Sequence, residues 1–233
     1  MKPLKITCLL QDGRVGCTDP FLSLDSILAS AWMRKYHQDA YYNASSHMLT
    51  EELILPELPF ERRGKGEDWY WACSFNTIPP LCEYITYWHR RFDDDYERYI
   101  DFGKYHGKVN QKEGRYKAYR MPLVNLLFDR LEWYAVGDLN ATQELCRAVS
   151  YIGKKSSQGH GAVDYWEVSL CQEDWSVARN GRLTRAIPAA EELPKGILPG
   201  KVAVRGIRSP YWHESSQRLC WVPENVNISK KRI

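Results

Sequence analysis

Between residues 153 and 161 the chain reads Gly153-Lys154-Lys155-Ser156-Ser157-Gln158-Gly159-His160-Gly161. Each residue type there has a chemical use. Glycine lets backbone amides approach an anion closely, lysine neutralises phosphate, and Ser156, Ser157 and Gln158 can bond phosphate or ribose oxygens without reading a base. His160 can donate to phosphate or move a proton at a ribose hydroxyl. The chemistry is a grip on nucleic-acid backbone. A mononucleotide P-loop is excluded, because no Gly-Lys-Ser/Thr opens a helix at the far end, and the segment follows a predicted helix where that motif follows a strand. The competing reading is a flexible connection with solvated lysines.

A second cluster sets Lys104, Lys108, Lys112, Arg115, Lys117 and Arg120 against a single acid, Glu113, with Tyr105, His106, Tyr116 and Tyr119 interleaved. Cations that follow phosphates and rings that stack on bases suit a single-stranded nucleic acid. The alternative is a solvated, strand-rich excursion balanced by Asp93-Asp94-Asp95. A third cluster, Arg205, Arg208, Tyr211, Trp212, His213 and Arg218, fits a partner surface, part of an RNA path, or ordinary packing with arginine on the rim.

For catalysis the candidates are His106, His160 and His213, since an imidazole can act as the base in metal-independent RNA cleavage; none has a visible partner. Three consecutive aspartates rarely converge on a metal, so Asp93 to Asp95 read as a solvated face. The 7 cysteines are scattered without a Cys-x-x-Cys pair and read as reduced structural thiols. Only spacing speaks for a zinc site from Cys171, His213 and Cys220. No metal or cofactor is expected.

The elements that must position these groups follow from periodicity. Leu4 to Leu10 alternates as a strand, and Leu24, Ile27, Leu28, Ala31 and Trp32 define a helix that opens near Ser23 or Asp25 and ends near His37. Asp68 to Phe75 is strand-like, whereas Tyr84 to Arg120 keeps only a thin apolar pattern and reads as a projecting insertion. Leu123 to Phe128 and Leu131 to Val136 are strands. A helix capped by Asp138 carries its apolar face through Ile152, and Gly153 ends it. Val163 to Leu170 is a strand, Asp174 to Leu183 a hairpin turning at Asn180-Gly181, and Lys201 to Ile207 a further strand.

The whole chain sets looser bounds. At 233 residues it fits one large domain or two small ones, and 44% hydrophobic residues, with 9 Trp and 15 Tyr, exclude disorder. A net charge of +3 does not by itself indicate a nucleic-acid partner, so local clustering carries that argument. Apolar stretches fall short of the roughly 20 residues of a membrane span, and the N-terminus lacks a signal pattern, so a cytoplasmic location is expected.

The element order is compatible with an α+β, ferredoxin-like (RRM-like) fold. The loop at 153–161 behind a helix resembles the glycine-rich loop of the CRISPR RAMP superfamily. Leu24-Asp25-Ser26-Ile27-Leu28-Ala29 and Ser209-Pro210-Tyr211-Trp212-His213 look like the type IV (Csf) subunit of the Cas-five kind, the Csf-three family. The resemblance implies a single RAMP-type domain over residues 1–233, with 84–120 as a thumb-like extension. It also implies one copy per effector complex, anchoring the repeat-derived five-prime handle of the crRNA beside the Cas-seven-like backbone and large subunits, and meeting target DNA indirectly. Such subunits are usually not nucleases. The expected RNA contacts are Lys154, Lys155, Ser156, Ser157, Gln158 and His160, with Lys104, Tyr105, His106, Lys108, Arg115, Lys117 and Tyr119 from the thumb and Arg205 and Arg208 from the third cluster. The alternatives are a crRNA-processing endoribonuclease and a repeating backbone-type subunit.

Overall fold

The computed structural model describes residues 1–38, 54–103, 107–198 and 200–224. In chain order the elements are β1 (Lys2–Leu10), β2 (Arg14–Gly16), α1 (Leu24–Tyr36), β3 (Arg62–Arg63), β4 (Tyr70–Trp71), β5 (Cys82–Arg90), β6 (Tyr119–Leu127), β7 (Leu131–Gly137), α2 (Leu139–Arg147) and β8 (Val163–Leu170). Short strands β9 (Ala178–Arg179), β10 (Arg182–Leu183) and β11 (Ile187–Pro188) precede β12 (Lys201–Gly206) and β13 (Gln217–Val222). This is a mixed α+β fold in which strands dominate. No helix among the described residues is long and apolar enough to cross a membrane.

β1 buries Leu4, Ile6, Cys8 and Leu10 at alternate positions, as period-two side chains require. It is the middle strand of a sheet ordered β7-β1-β8, antiparallel on both sides, with Ile6 opposite Trp133 and Val168. Residues 72–77 run along the free side of β7: Val136 N–H donates to the Ala72 carbonyl (2.9 Å), and Ser74 and Thr77 N–H donate to the Tyr134 and Glu132 carbonyls (2.8 Å each). The strand expected over Asp68 to Phe75 is regular only at Tyr70–Trp71. Beyond that, side chains replace half the ladder, because Ser74 Oγ accepts from Tyr134 N–H and Asn76 Oδ1 from Glu132 N–H (2.9 Å each).

Helix α1 follows the expected spacing, with Leu24, Leu28 and Ala31 buried, and closes at His37, whose N–H donates to the Met33 carbonyl (2.8 Å). Asp138 caps α2 through Ala141 N–H (2.8 Å). That helix stops at Arg147, several residues short of Gly153. Val149 and Ile152 still point into the core, and Tyr151 is already extended and bridges Ala162. The apolar spacing therefore outlasts the helix. Gly153, at φ +89, serves close approach: a Cβ there would lie 2.7 Å from Val15.

The main core surrounds fully buried Trp133, stacked on Trp166 at 5.7 Å. A second cluster includes Tyr70, Val177, Leu183, Ile187, Ile207 and Cys220 and underlies a sheet ordered β11-β13-β12. Arg185, 1% exposed, joins the two. Its guanidinium donates to the carbonyls of Trp71, Cys73 (2.9 Å) and Ile207 (2.9 Å). Buried Asp25 supplies the opposing charge and accepts the Tyr211 hydroxyl at 2.5 Å. Arg182 pairs with Arg179 across Asn180 and Gly181, both at positive φ, which is the tight turn expected there.

Candidate nucleic-acid interface

The glycine-rich segment is a loop closed at its base. Ile152 N–H donates to the Gly161 carbonyl and Lys154 N–H to the Gly16 carbonyl, both at 2.8 Å. Gly161 (φ +69) is indispensable to this closure, since a Cβ would come 1.8 Å from the Ile152 carbonyl oxygen. At the tip Lys155 adopts a left-handed backbone and Ser156–Gln158 form a single 3-10 turn. The amides of Lys155, Ser156 and Ser157 have no acceptor among the described residues, and Ser156, Ser157 and Gln158 are exposed. Unpaired amides beside two lysines are suited to an anion.

The loop leans on the hairpin. β2, β6 and β5 form a separate antiparallel sheet in the order β2-β6-β5. Its register puts Tyr84, Thr86, Trp88 and Arg90 on one face with Asn125, Leu123, Met121 and Tyr119, and Arg14 joins them opposite Leu127. Lys155 Nζ sits 3.9 Å from the Trp88 ring centroid, and Trp88 packs on Tyr119 at 5.0 Å. His160 Nδ1 lies 3.1 Å from Asn125 Oδ1. Asn125 is fully buried and its Nδ2 donates to Thr86 Oγ1 (2.9 Å) and the Leu123 carbonyl (3.0 Å). Its Oδ1 is thereby the acceptor, so the His160 proton sits on Nδ1 and Nε2 is left with its lone pair. Desolvation and the Arg14 charge lower the His160 pKa, against a smaller opposing pull from Asp12. Asp12 is itself engaged by Arg14 at 2.6 Å.

Beyond the paired strands, the hairpin end is built from short turns. Asp93 accepts from Asp95 N–H (3.1 Å), Asp94 from the Gln111 amide (2.7 Å) and Glu97 from Val109 N–H (2.7 Å), so this acidic run braces the end. Lys108, Lys112, Arg115 and Lys117 are exposed, and Tyr119 is half-buried against Trp88. Tyr96 and Tyr99 stand out at 61% and 72% exposure. Lys104, Tyr105 and His106 lie outside the described residues.

The third cluster divides. Arg205 is exposed and paired with Asp19 at 2.9 Å. Arg208 is only 4% exposed, donates to the Glu67 (2.6 Å) and Trp69 (3.0 Å) carbonyls and stacks over Trp69, which makes it a packing arginine. Arg218 holds Asp68 at 2.5 Å, and His213 Nδ1 accepts from Ser215 N–H. Trp212 is 69% exposed. Among the described residues no three metal-ligating side chains come together, Cys171, His213 and Cys220 included. Burial pushes the Cys146 thiol up to about 12 and Cys220 up to about 11, as expected of packing cysteines.

The structure thus brings the loop to the hairpin base and leaves Arg205 on another wall. Sequence reasoning missed Arg14, Trp88 and Asn125, because only the hairpin register carries them to residues 155 and 160. The interleaved rings were the one available signal, and they implicated the hairpin without its face. A family model described as CRISPR type IV associated protein Csf3 matches residues 2–224 of the chain. No curated protein matches it.

Proposed function

The chain belongs to the family of CRISPR type IV associated protein Csf3, and on that premise we propose that it is a non-catalytic subunit that grips guide RNA in a type IV effector ribonucleoprotein. The observation that carries this reading is the junction of loop and hairpin, where Lys155 on Trp88 and His160 on Asn125 merge the two clusters into one basic, ring-bearing surface. Unpaired amides and Lys154 and Lys155 hold phosphates, Trp88 and Tyr119 offer rings, and Lys108, Arg115 and Lys117 extend the path along the hairpin. The bound segment is the repeat-derived five-prime handle of the crRNA. Cas-seven-like backbone and large subunits flank it in the cytoplasm, and target DNA is met indirectly.

A ferredoxin-like RAMP fold accompanies this reading. It is supported by the lane order β8, β1, β7, then 72–77, all antiparallel, with α1 and α2 packed on one another. The β5–β6 hairpin enters between the last two lanes and serves as the thumb of a single domain.

The double variant Lys154→Ala, Lys155→Ala tests the grip. Its affinity for labelled handle RNA should fall, and the slope of log affinity against log salt should shrink by about 0.7 for each phosphate of the single strand that is no longer neutralised. An unchanged slope counts against the loop. One observation favours a second reading, metal-independent endoribonuclease: the lone pair that Asn125 leaves on His160 Nε2. Site-specific cleavage of repeat RNA in metal-free buffer, abolished by His160→Ala or His106→Ala, would establish that enzyme in place of a passive grip.

A further inference from the structure

A cleft of about 670 Å³ opens beside the glycine-rich loop, between the 16–27 segment, Ile152 to Lys154 and the β12–β13 sheet. Its volume suits a small organic ligand. Phe21 and Phe75 lie 5.6 Å apart on its wall and present flat apolar surface. Ser26 and Gln217 add a hydroxyl and an amide oxygen, whereas the Ser23 and Tyr211 hydroxyls in the same wall are engaged by Asp25 and the Gln217 amide N–H donates to the Tyr211 carbonyl. Lys154 and Arg205 both line the cleft, together with Asp19, which holds Arg205 at 2.9 Å and leaves Lys154 as the cation without an acidic partner on this wall.

Taken together, the Lys154 cation, an aromatic wall and the Ser26 hydroxyl and Gln217 amide oxygen match the phosphate, base face and base edge of a single nucleotide. Continuity matters as much as composition. Residues 152–154 form the cleft wall and the first limb of the loop, so a strand held at the loop tip passes this opening and Lys154 serves both. We propose that the cleft receives one unstacked nucleotide of the bound single strand, its base against Phe21 and Phe75 and its phosphate on Lys154. This inference rests on the RNA-gripping reading and adds to it a base-sized subsite away from the hairpin face.

Abasic scanning of the handle RNA tests it with the full chain. At one position, removal of the base alone should weaken binding roughly tenfold, in keeping with the usual worth of base–aromatic stacking. Ser26→Trp, which fills the cleft from α1, should erase that position's abasic penalty. Phe21→Ala should shrink the same penalty and serves if the tryptophan variant does not fold. Equal affinity for every abasic RNA overturns the subsite while the grip stands. A penalty that persists undiminished in the folded variants also overturns it, because the base is then read elsewhere. Failure of the wild-type chain to bind the unmodified RNA overturns the grip and the subsite together.

Discussion

His160 has its pKa held below the ordinary imidazole value by desolvation and by Arg14, so it is largely neutral at pH 7. A phosphate set against the ring would raise that value in the complex. Affinity for RNA should therefore climb as pH falls from about 7.5 to 5.5, when the bound ring takes up its proton. His160→Ala should flatten the profile, and titration of binding at fixed ionic strength checks it; identical profiles would place phosphate elsewhere. The free protein responds in the opposite sense. The unfolded imidazole binds a proton more readily than the folded one, so this group lowers stability as pH falls through the ordinary histidine range. The loop itself was legible from sequence at this scale, since Gly153, Gly159 and Gly161 all take positive φ. The orientation of His160 was not, because the proton on Nδ1 depends on an asparagine whose own amide is fixed by Thr86 and Leu123.

At the scale of the element, the loop works because its base is shut. Gly161→Ala should cost about 2–4 kcal/mol, combining a left-handed backbone with a direct clash on the Ile152 carbonyl and the loss of the closing hydrogen bond. Gly159 is also left-handed, yet a Cβ there meets nothing within 4 Å, and Gly159→Ala should cost only about 1 kcal/mol. Denaturant melts of the two variants separate these effects, and equal costs would contradict the closed base. Periodicity located β1 and α1 well, since each buries a regular face, while β7, buried at all seven positions, and β8, fully buried at none, were found by their apolar and β-branched composition. It failed at α2, where Val149 and Ile152 keep helical spacing although the helix ends at Arg147 and Tyr151 is already in a strand bridge. It also failed across 72–77, where Ser74 and Asn76 side chains stand in for strand carbonyls. Segments Leu123 to Phe128 and Tyr84 to Arg120 were read apart, although β6 unites them, because pairing partners are invisible to a local pattern.

Across the whole molecule two apolar clusters are tied by one cation. Arg185 donates to carbonyls from both sides and opposes the charge of buried Asp25, so Arg185→Met leaves that charge uncompensated and several carbonyls without their donor. A loss of about 3–5 kcal/mol is expected, read as a drop in the unfolding midpoint. A near-neutral result would mean that the two clusters hold together by packing alone. Nothing in the sequence sets Arg185 apart from exposed Arg182, since a buried arginine becomes recognisable only once its acceptors have been gathered from residues 71, 73 and 207. Arg208 illustrates the same difficulty, because it stands beside Arg205 in the sequence but faces inward.

The hairpin leaves the sheet through a narrow neck. Thr77 N–H donates to the Glu132 carbonyl, Leu81 N–H to the Leu127 carbonyl, β2 pairs with β6 at residues 125–127 and Leu126 enters the core, so what lies beyond the neck is the described part of the hairpin end between residues 91 and 118. Loop-closure entropy grows only slowly with length, so residues added or removed past the neck change the cost of folding little. The arm is therefore a ruler whose graduations can be redrawn without recasting its handle: the span of strand it covers and the register of the core vary independently.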